Sequence, residues 1–151
     1  MPITIKEITV LETYSVRHPV LRVGRPIEDC AMQGDDLETT FHLAAVEDDR
    51  IIGVATFLVA SDEAVKEITG KDLNLSQLRG MAVLPASQGK GIGNSLLKEG
   101  IKQLKTKNID VLWFNARIKA VPFYEGLGFE ILGSAFEVEQ IGTHYKMYRR
   151  L

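Results

Sequence analysis

The sequence predicts a single domain, residues 1–151, of mixed α/β class, built on a mainly antiparallel sheet. Three observations carry this. Two β-rich runs, residues 40–46 and 51–60, are separated by the polar stretch EDDR, which is a hairpin signal. From residue 75 onward, apolar runs of strand length alternate with helical spacing, giving the second half β-α-β character. The 151 residues are 45% hydrophobic and 25% charged, ordinary for a globular chain and long enough for a proper core.

The elements follow in order. Residues 2–10 alternate Ile3, Ile5 and Ile8 imperfectly with polar side chains and read as a strand. Residues 11–21 read as a helix interrupted near Pro19. Residues 22–38 hold two glycines, a proline and several charges, and read as a loop. The hairpin comes next, with a turn slightly longer than the tightest types. Residues 61–74 are polar, include Gly70, and read as a connection. A strand over 75–84 ends at Pro85, and a helix over 91–105 follows. Residues 110–115 (DVLWFN) form a short, nearly continuous apolar strand, as expected for one covered on both faces. A short helix over 118–126 ends in glycine, and strands over 129–134 and 143–149 complete the sheet. No repeat, low-complexity segment or linker interrupts the chain.

Charge and composition narrow the function. A net charge of −2 gives no broad surface for nucleic acid or anionic membrane. No apolar run approaches the roughly 20 residues that span a bilayer. The first ten residues lack the basic flank and apolar run of a secretory signal. The lone cysteine, Cys30, cannot form an internal disulfide and reads as a small buried hydrophobe. A cytoplasmic, reducing setting is the expectation.

The most informative stretch is SQGKGIGNSLLKEG, residues 87–100. Ile92, Leu96, Leu97, Ile101 and Leu104 share one face at 100° per residue, and Lys98, Lys102 and Lys105 share the other. Gly93 and Gly100 fall in the apolar stripe, where a missing side chain lets the helix approach the sheet. Gln88, Gly89, Lys90, Gly91, Ile92 and Gly93 precede or open the regular helix. The first N–H groups of a helix lack intrahelical partners, and the macrodipole adds positive charge there. Glycines let a phosphate reach such donors without meeting Cβ atoms. The alternative is a glycine-rich turn that only packs on the sheet. A Walker loop does not fit, and the dinucleotide fingerprint fails because Asn94 stands where its last glycine is needed.

Val83-x-Pro85, the turn Gln88-Gly89-Lys90-Gly91-Ile92-Gly93 and the helix behind it resemble the acyl-coenzyme A signature of the GNAT N-acetyltransferase superfamily, [RQ]-x-x-G-x-[GA]. Downstream, Ala120 and Phe123-Tyr124-Glu125-Gly126-Leu127-Gly128-Phe129 are similar to that family's A-x-x-F-Y-x-x-x-G-F element. The order of elements matches across nearly the whole chain. The resemblance implies the GNAT fold, with a sheet splayed at its centre and flanked by helices, and an enzyme that moves an acetyl group from acetyl-CoA to a primary amine, most simply of a small molecule. It allows a homodimer. A non-catalytic acyl-CoA sensor and an acetyltransferase of protein N-termini or lysines are the alternatives.

The same resemblance assigns roles. Backbone groups of Met81, Ala82 and Val83 would hold the pantetheine arm, and an N–H near Met81 or Ala82 would meet the developing oxyanion. Residues 88–93 would take the diphosphate, with Lys90 as an added charge. Asn115 would bond the pantetheine or the substrate. Tyr124 would donate a proton to the departing thiolate. The strand before the turn, Leu78-Arg79-Gly80-Met81-Ala82-Val83, lacks the glutamate base of some relatives. His144, His42 or a chain of waters is left to take the amine's proton, since imidazole titrates near neutrality. Arg22, Arg25, Asp35 and Asp36 sit in the segment that lines the acceptor pocket in the family, where paired arginines suit a carboxylate or phosphate; the alternative is a solvated charged loop.

Overall fold

The computed structural model describes residues 2–139 and 141–151. Its strand order is β1-β2-β3-β4-β5-β7-β6, a mixed and mainly antiparallel sheet with helices against it. The chain divides into two compact units, Met1–Val59 with Leu78–Leu104, and Ala60–Gln77 with Lys105–Leu151.

The first unit contains β1 (Thr4–Ile8), α1 (Val10–Leu21), β2 (Phe41–Glu47), β3 (Arg50–Val59), the later part of β4 (Leu75–Val83) and nearly all of α3 (Ile92–Thr106). Thr9 opens α1 with a capping box: its hydroxyl accepts from the Glu12 amide, and the Glu12 carboxylate accepts from the Thr9 amide at 2.9 Å. Pro19 does not interrupt this helix, contrary to the sequence expectation. It sits in the last turn, where its missing N–H removes a single bond, and packing by Val16 and Val20 holds the helix through it.

The hairpin turn is also tighter than expected. Glu47 pairs directly with Arg50, and Asp48 and Asp49 take φ of 50° and 61°. Positive φ at both central residues is the type I′ geometry, which aspartate tolerates and which matches the twist of the strands.

Alternation along β3 sends its side chains to two helices. Val54 and Thr56 face α1: Val54 packs with Val16, Ala44, Ile8 and Ala82, and the Thr56 hydroxyl accepts from Arg17. Gly53 and Phe57 face α3. A methyl group on Gly100 would stand 2.1 Å from Phe57 Cζ, and one on Gly53 would stand 2.8 Å from Ile92 Cγ2. The close approach expected of the α3 glycines is therefore real at Gly100, and β3 contributes a glycine of its own. Ile92, Leu96, Leu97 and Leu104 are buried as expected.

The second unit contains α2 (Glu63–Thr69), the first three residues of β4, β5 (Val111–Arg117), α4 (Val121–Glu125), β6 (Glu130–Val138) and β7 (Gly142–Arg150). Residues 61–74 are not merely a connection. Asp62 caps α2 by accepting from the Val65 amide at 3.1 Å, and Gly70 at φ 140° ends it. The residues read as one helix over 118–126 resolve into a 3-10 turn, Ile118–Ala120, and the short α4. β5 runs parallel to β4 through Leu75–Gln77 and antiparallel to β7 along its length. Val111 and Trp113 pack with Val65, Leu75 and Tyr148, and the Trp113 indole N–H donates to the Ala60 carbonyl at 2.9 Å. Phe114, on the opposite face, packs against Tyr124 and Phe129.

Candidate functional site

In the first unit, β4 leads into the glycine-rich turn. Among the described residues β4 pairs with β5 at Leu75–Gln77, ahead of Met81, Ala82 and Val83 in the chain. Gly80, just before them, takes φ of 60°. A left-handed residue inside a strand re-aims the peptide groups that follow. A 3-10 turn, Pro85–Ser87, then brings the chain to Gln88, whose side-chain N–H donates to the Val83 carbonyl at 3.0 Å. Gln88 thus ties the turn to the strand end, using its side chain for structure.

Gly89 and Gly91 both adopt left-handed φ, 81° and 77°, and a Cβ at either would meet nothing within 4 Å. The first amide beyond this turn with a main-chain partner is that of Ser95, which donates to the Gly91 carbonyl at 3.0 Å. Among the described residues, the N–H groups of residues 89–94 have no hydrogen-bond partner. Unpaired main-chain donors at a helix start, with open space in front of both glycines, are what an oxyanion ligand requires. The side chain of Asn94 adds an acceptor, Oδ1, buried without a partner. No sequence signal singled out Asn94, because an asparagine in a first turn usually faces water.

In the second unit, Asn115 is exposed between buried Phe114 and Ala116 at the end of β5. Tyr124 is buried, with its ring 4.3 Å from that of Phe114 and 6.0 Å from that of Phe129. Phe129 is core, while Phe123 is 42% exposed and sets its ring edge-on to that of Tyr124. Burial pushes the Tyr124 hydroxyl up to about 12, so it keeps its proton throughout the neutral range. Among the described residues that hydroxyl donates to nothing.

His144 lies opposite Arg117 in the β5–β7 register and is buried. Its Nδ1 lies 2.9 Å from the Gly142 carbonyl, an acceptor only, so Nδ1 carries the proton and neutral His144 keeps its lone pair on Nε2. His42 differs. Its Nε2 donates to the Asp35 carbonyl at 3.0 Å, and its Nδ1 is 2.8 Å from Thr56 Oγ1. Both ring nitrogens are committed, which removes His42 from the choice of bases.

The arginines of the acceptor-loop segment make bonds within the protein. Arg22 donates from Nε to the Asp29 carbonyl and from a terminal nitrogen to the Leu21 carbonyl. Arg25 pairs with Asp29 at 3.0 Å. Asp35 is bound by Arg17, a residue whose sequence context, between Val16 and His18 in a helix, gave no sign of burial. Burial raises the Asp35 carboxyl, but bonds from Arg17 and the Met32 amide outweigh it and leave the group lowered.

Residues 26–151 match the family described as an acetyltransferase (GNAT) domain. Over 147 residues, 97% of this chain and 95% of the relative, the sequence is 33% identical to the uncharacterized N-acetyltransferase YitI of Bacillus subtilis. Over 94 residues, 61% of this chain and 56% of the relative, it is 35% identical to the ribosomal protein bS18-alanine N-acetyltransferase of Haemophilus influenzae. Among solved structures, Arabidopsis thaliana NAA60 in complex with acetyl-CoA has a TM-score of 0.77, with 14% identity over 99% of both chains, a likeness of fold.

Proposed function

Because the chain belongs to the GNAT N-acetyltransferase family, we propose that it transfers an acetyl group from acetyl-CoA to a primary amine of a small molecule, by direct attack in a ternary complex. The observation that carries this reading is the row of unpaired amides at residues 89–94 behind two left-handed glycines with free space before them. Acetyl-CoA supplies the acyl group as a thioester. The chain's part is to grip the diphosphate with those amides, aided by the charge of Lys90, and to line the pantetheine with the peptide groups of Met81, Ala82 and Val83. Asn115 offers a further exposed amide to the pantetheine or the substrate.

One proton transfer and one hydrogen bond fall to two residues. The lone pair of His144 Nε2 takes the proton that the attacking amine must lose as its bond to the carbonyl carbon forms. The Met81 or Ala82 amide meets the carbonyl oxygen as negative charge collects there. Tyr124 offers its proton to the sulfur as the carbon–sulfur bond breaks. A hydroxyl at about 12 is a weaker acid than a thiol near 8.5, so Tyr124 serves chiefly as a hydrogen-bond donor to sulfur.

Calorimetry and a thiol-release assay with a panel of amines test the reading together. Acetyl-CoA binds, Gly91→Val weakens binding on the order of 10²-fold because a β-branched side chain enters the left-handed turn, and some amine releases thiol. Unchanged affinity in Gly91→Val removes the diphosphate grip. Binding with no release by any amine leaves a sensor module instead.

A second reading, a protein N-terminus as acceptor, is favoured by the similarity to the bS18-alanine acetyltransferase. Peptides with a free N-terminal alanine belong in the panel, and their preference over every small amine would decide for it.

A further inference from the structure

Arg17 is fully buried, and the proposed transfer chemistry makes no use of it. Its guanidinium donates to both carboxylate oxygens of Asp35, at 2.7 and 2.9 Å, to the Cys30 carbonyl at 3.0 Å and to Thr56 Oγ1 at 2.8 Å. The remaining donor, Nε, has no partner among the described residues. It faces Gly80: a methyl group there would stand 3.1 Å from Arg17 Nε and 3.2 Å from Met32 Sδ. The Met32 amide in turn donates to Asp35 Oδ2 at 2.8 Å. A buried charge is a costly way to fill space, and an apolar side chain of similar volume often does so at no loss of stability. A planar fork that reaches β3 and residues 30–35 at once, while wedged behind a left-handed glycine, has a use that an apolar residue cannot serve.

We infer that Arg17 is a positioning residue for the transfer reaction: wedged behind Gly80, its guanidinium holds the left-handed bend of β4 and so aims the Met81 or Ala82 amide at the reacting carbonyl. This rests on the reading of that amide given above. Gly80 and Arg17 are matched, since any Cβ at residue 80 would press on the guanidinium and on Met32. Asp35 is the counter-charge that lets the guanidinium be buried, and Thr56 and the Cys30 carbonyl fix its plane.

The test replaces the ion pair by apolar residues of similar size, Arg17→Met with Asp35→Leu, so that no charge is left unpaired. Three quantities are read: acetyl-CoA affinity by calorimetry, kcat and KM with the best amine, and hydrogen exchange of residues 78–83. The expected result is unchanged acetyl-CoA affinity and stoichiometry with exchange faster by about tenfold and kcat lower by about 10²-fold, as for a misplacement of reacting groups on the order of 1 Å. Exchange and kcat both at the parent's level overturn the inference, and so does faster exchange with unchanged kcat. If the double variant does not fold, Arg17→Lys keeps the charge without the fork and is read in the same way. A parent that binds acetyl-CoA but acetylates no amine overturns the transfer reading, and with it the role of Arg17 in aiming the amide. Exchange then reports separately on whether Arg17 holds the bend.

Discussion

At the scale of single residues, what matters is which polar atoms have been left without partners and which have been used up. Among the described residues, Tyr124 and His144 each keep one reactive atom unspent, the hydroxyl of the first and Nε2 of the second. Both ring nitrogens of His42 are bonded within the protein, and Arg22 and Arg25 each give their Nε to Asp29. Tyr124→Phe removes only the hydroxyl and keeps the ring packed against Phe114 and Phe129. It should lower kcat by about 10²-fold, the low end for an acid-base group given the weak acid involved. Acetyl-CoA affinity should stay within experimental error. Parent-level turnover in that variant would reduce Tyr124 to a packing residue.

Elements are positioned here by absent side chains as much as by present ones. α3 lies against β3 because Gly100 offers no Cβ to Phe57 and Gly53 offers none to Ile92. Gly100→Ala therefore sets two effects against each other. Alanine favours the helix by about 1 kcal/mol, while a methyl group 2.1 Å from Phe57 Cζ forces repacking that costs about 1–3 kcal/mol. Net destabilisation by urea unfolding is the expected outcome, partly relieved when Phe57→Leu is added. A more stable Gly100→Ala would mean that the helix moves away from the strand freely. The α3 stripe was readable because five apolar residues recur on one face over a long helix. α2 was not, because only Val65 of its seven residues is buried and no period could emerge. The hairpin was readable as a hairpin, but its turn type was hidden, since aspartate at positive φ leaves no mark like that of glycine.

Across the whole molecule, paired carboxylates contribute to the acid limb of stability and Tyr124 to the alkaline one. Burial raises Asp62, but the ion pair with Lys146 and the bond from the Val65 amide outweigh it, and Asp35 behaves likewise with Arg17. Carboxyls lowered in the fold contribute stability that is present above the unfolded value of about 3.9 and lost as pH falls through the depressed folded value. Tm should therefore drop below about pH 4, and Asp62→Asn should lower Tm at neutral pH while flattening that drop. An acid limb identical to the parent's would remove Asp62 as a contributor. The Tyr124 shift works in the opposite sense. Its contribution is complete below the unfolded value near 10 and disappears as pH rises through the folded value of about 12.

The sequence by itself determined the family, the class of sheet, the hairpin, the α3 stripe and the glycine-rich turn. Each depends on neighbours a few residues apart, through periodicity, glycine placement or a short motif. Only the tertiary structure decided that the 89–94 amides have no partners among the described residues, that His144 keeps a lone pair on Nε2 while His42 does not, and that Arg17 is buried against Asp35 and Gly80. The Arg17 and His42 contacts join residues that only folding brings together, while the open amides and the His144–Gly142 bond depend on how the backbone is placed. An isolated charge or glycine reads the same in sequence whether it meets water or a partner brought to it by folding.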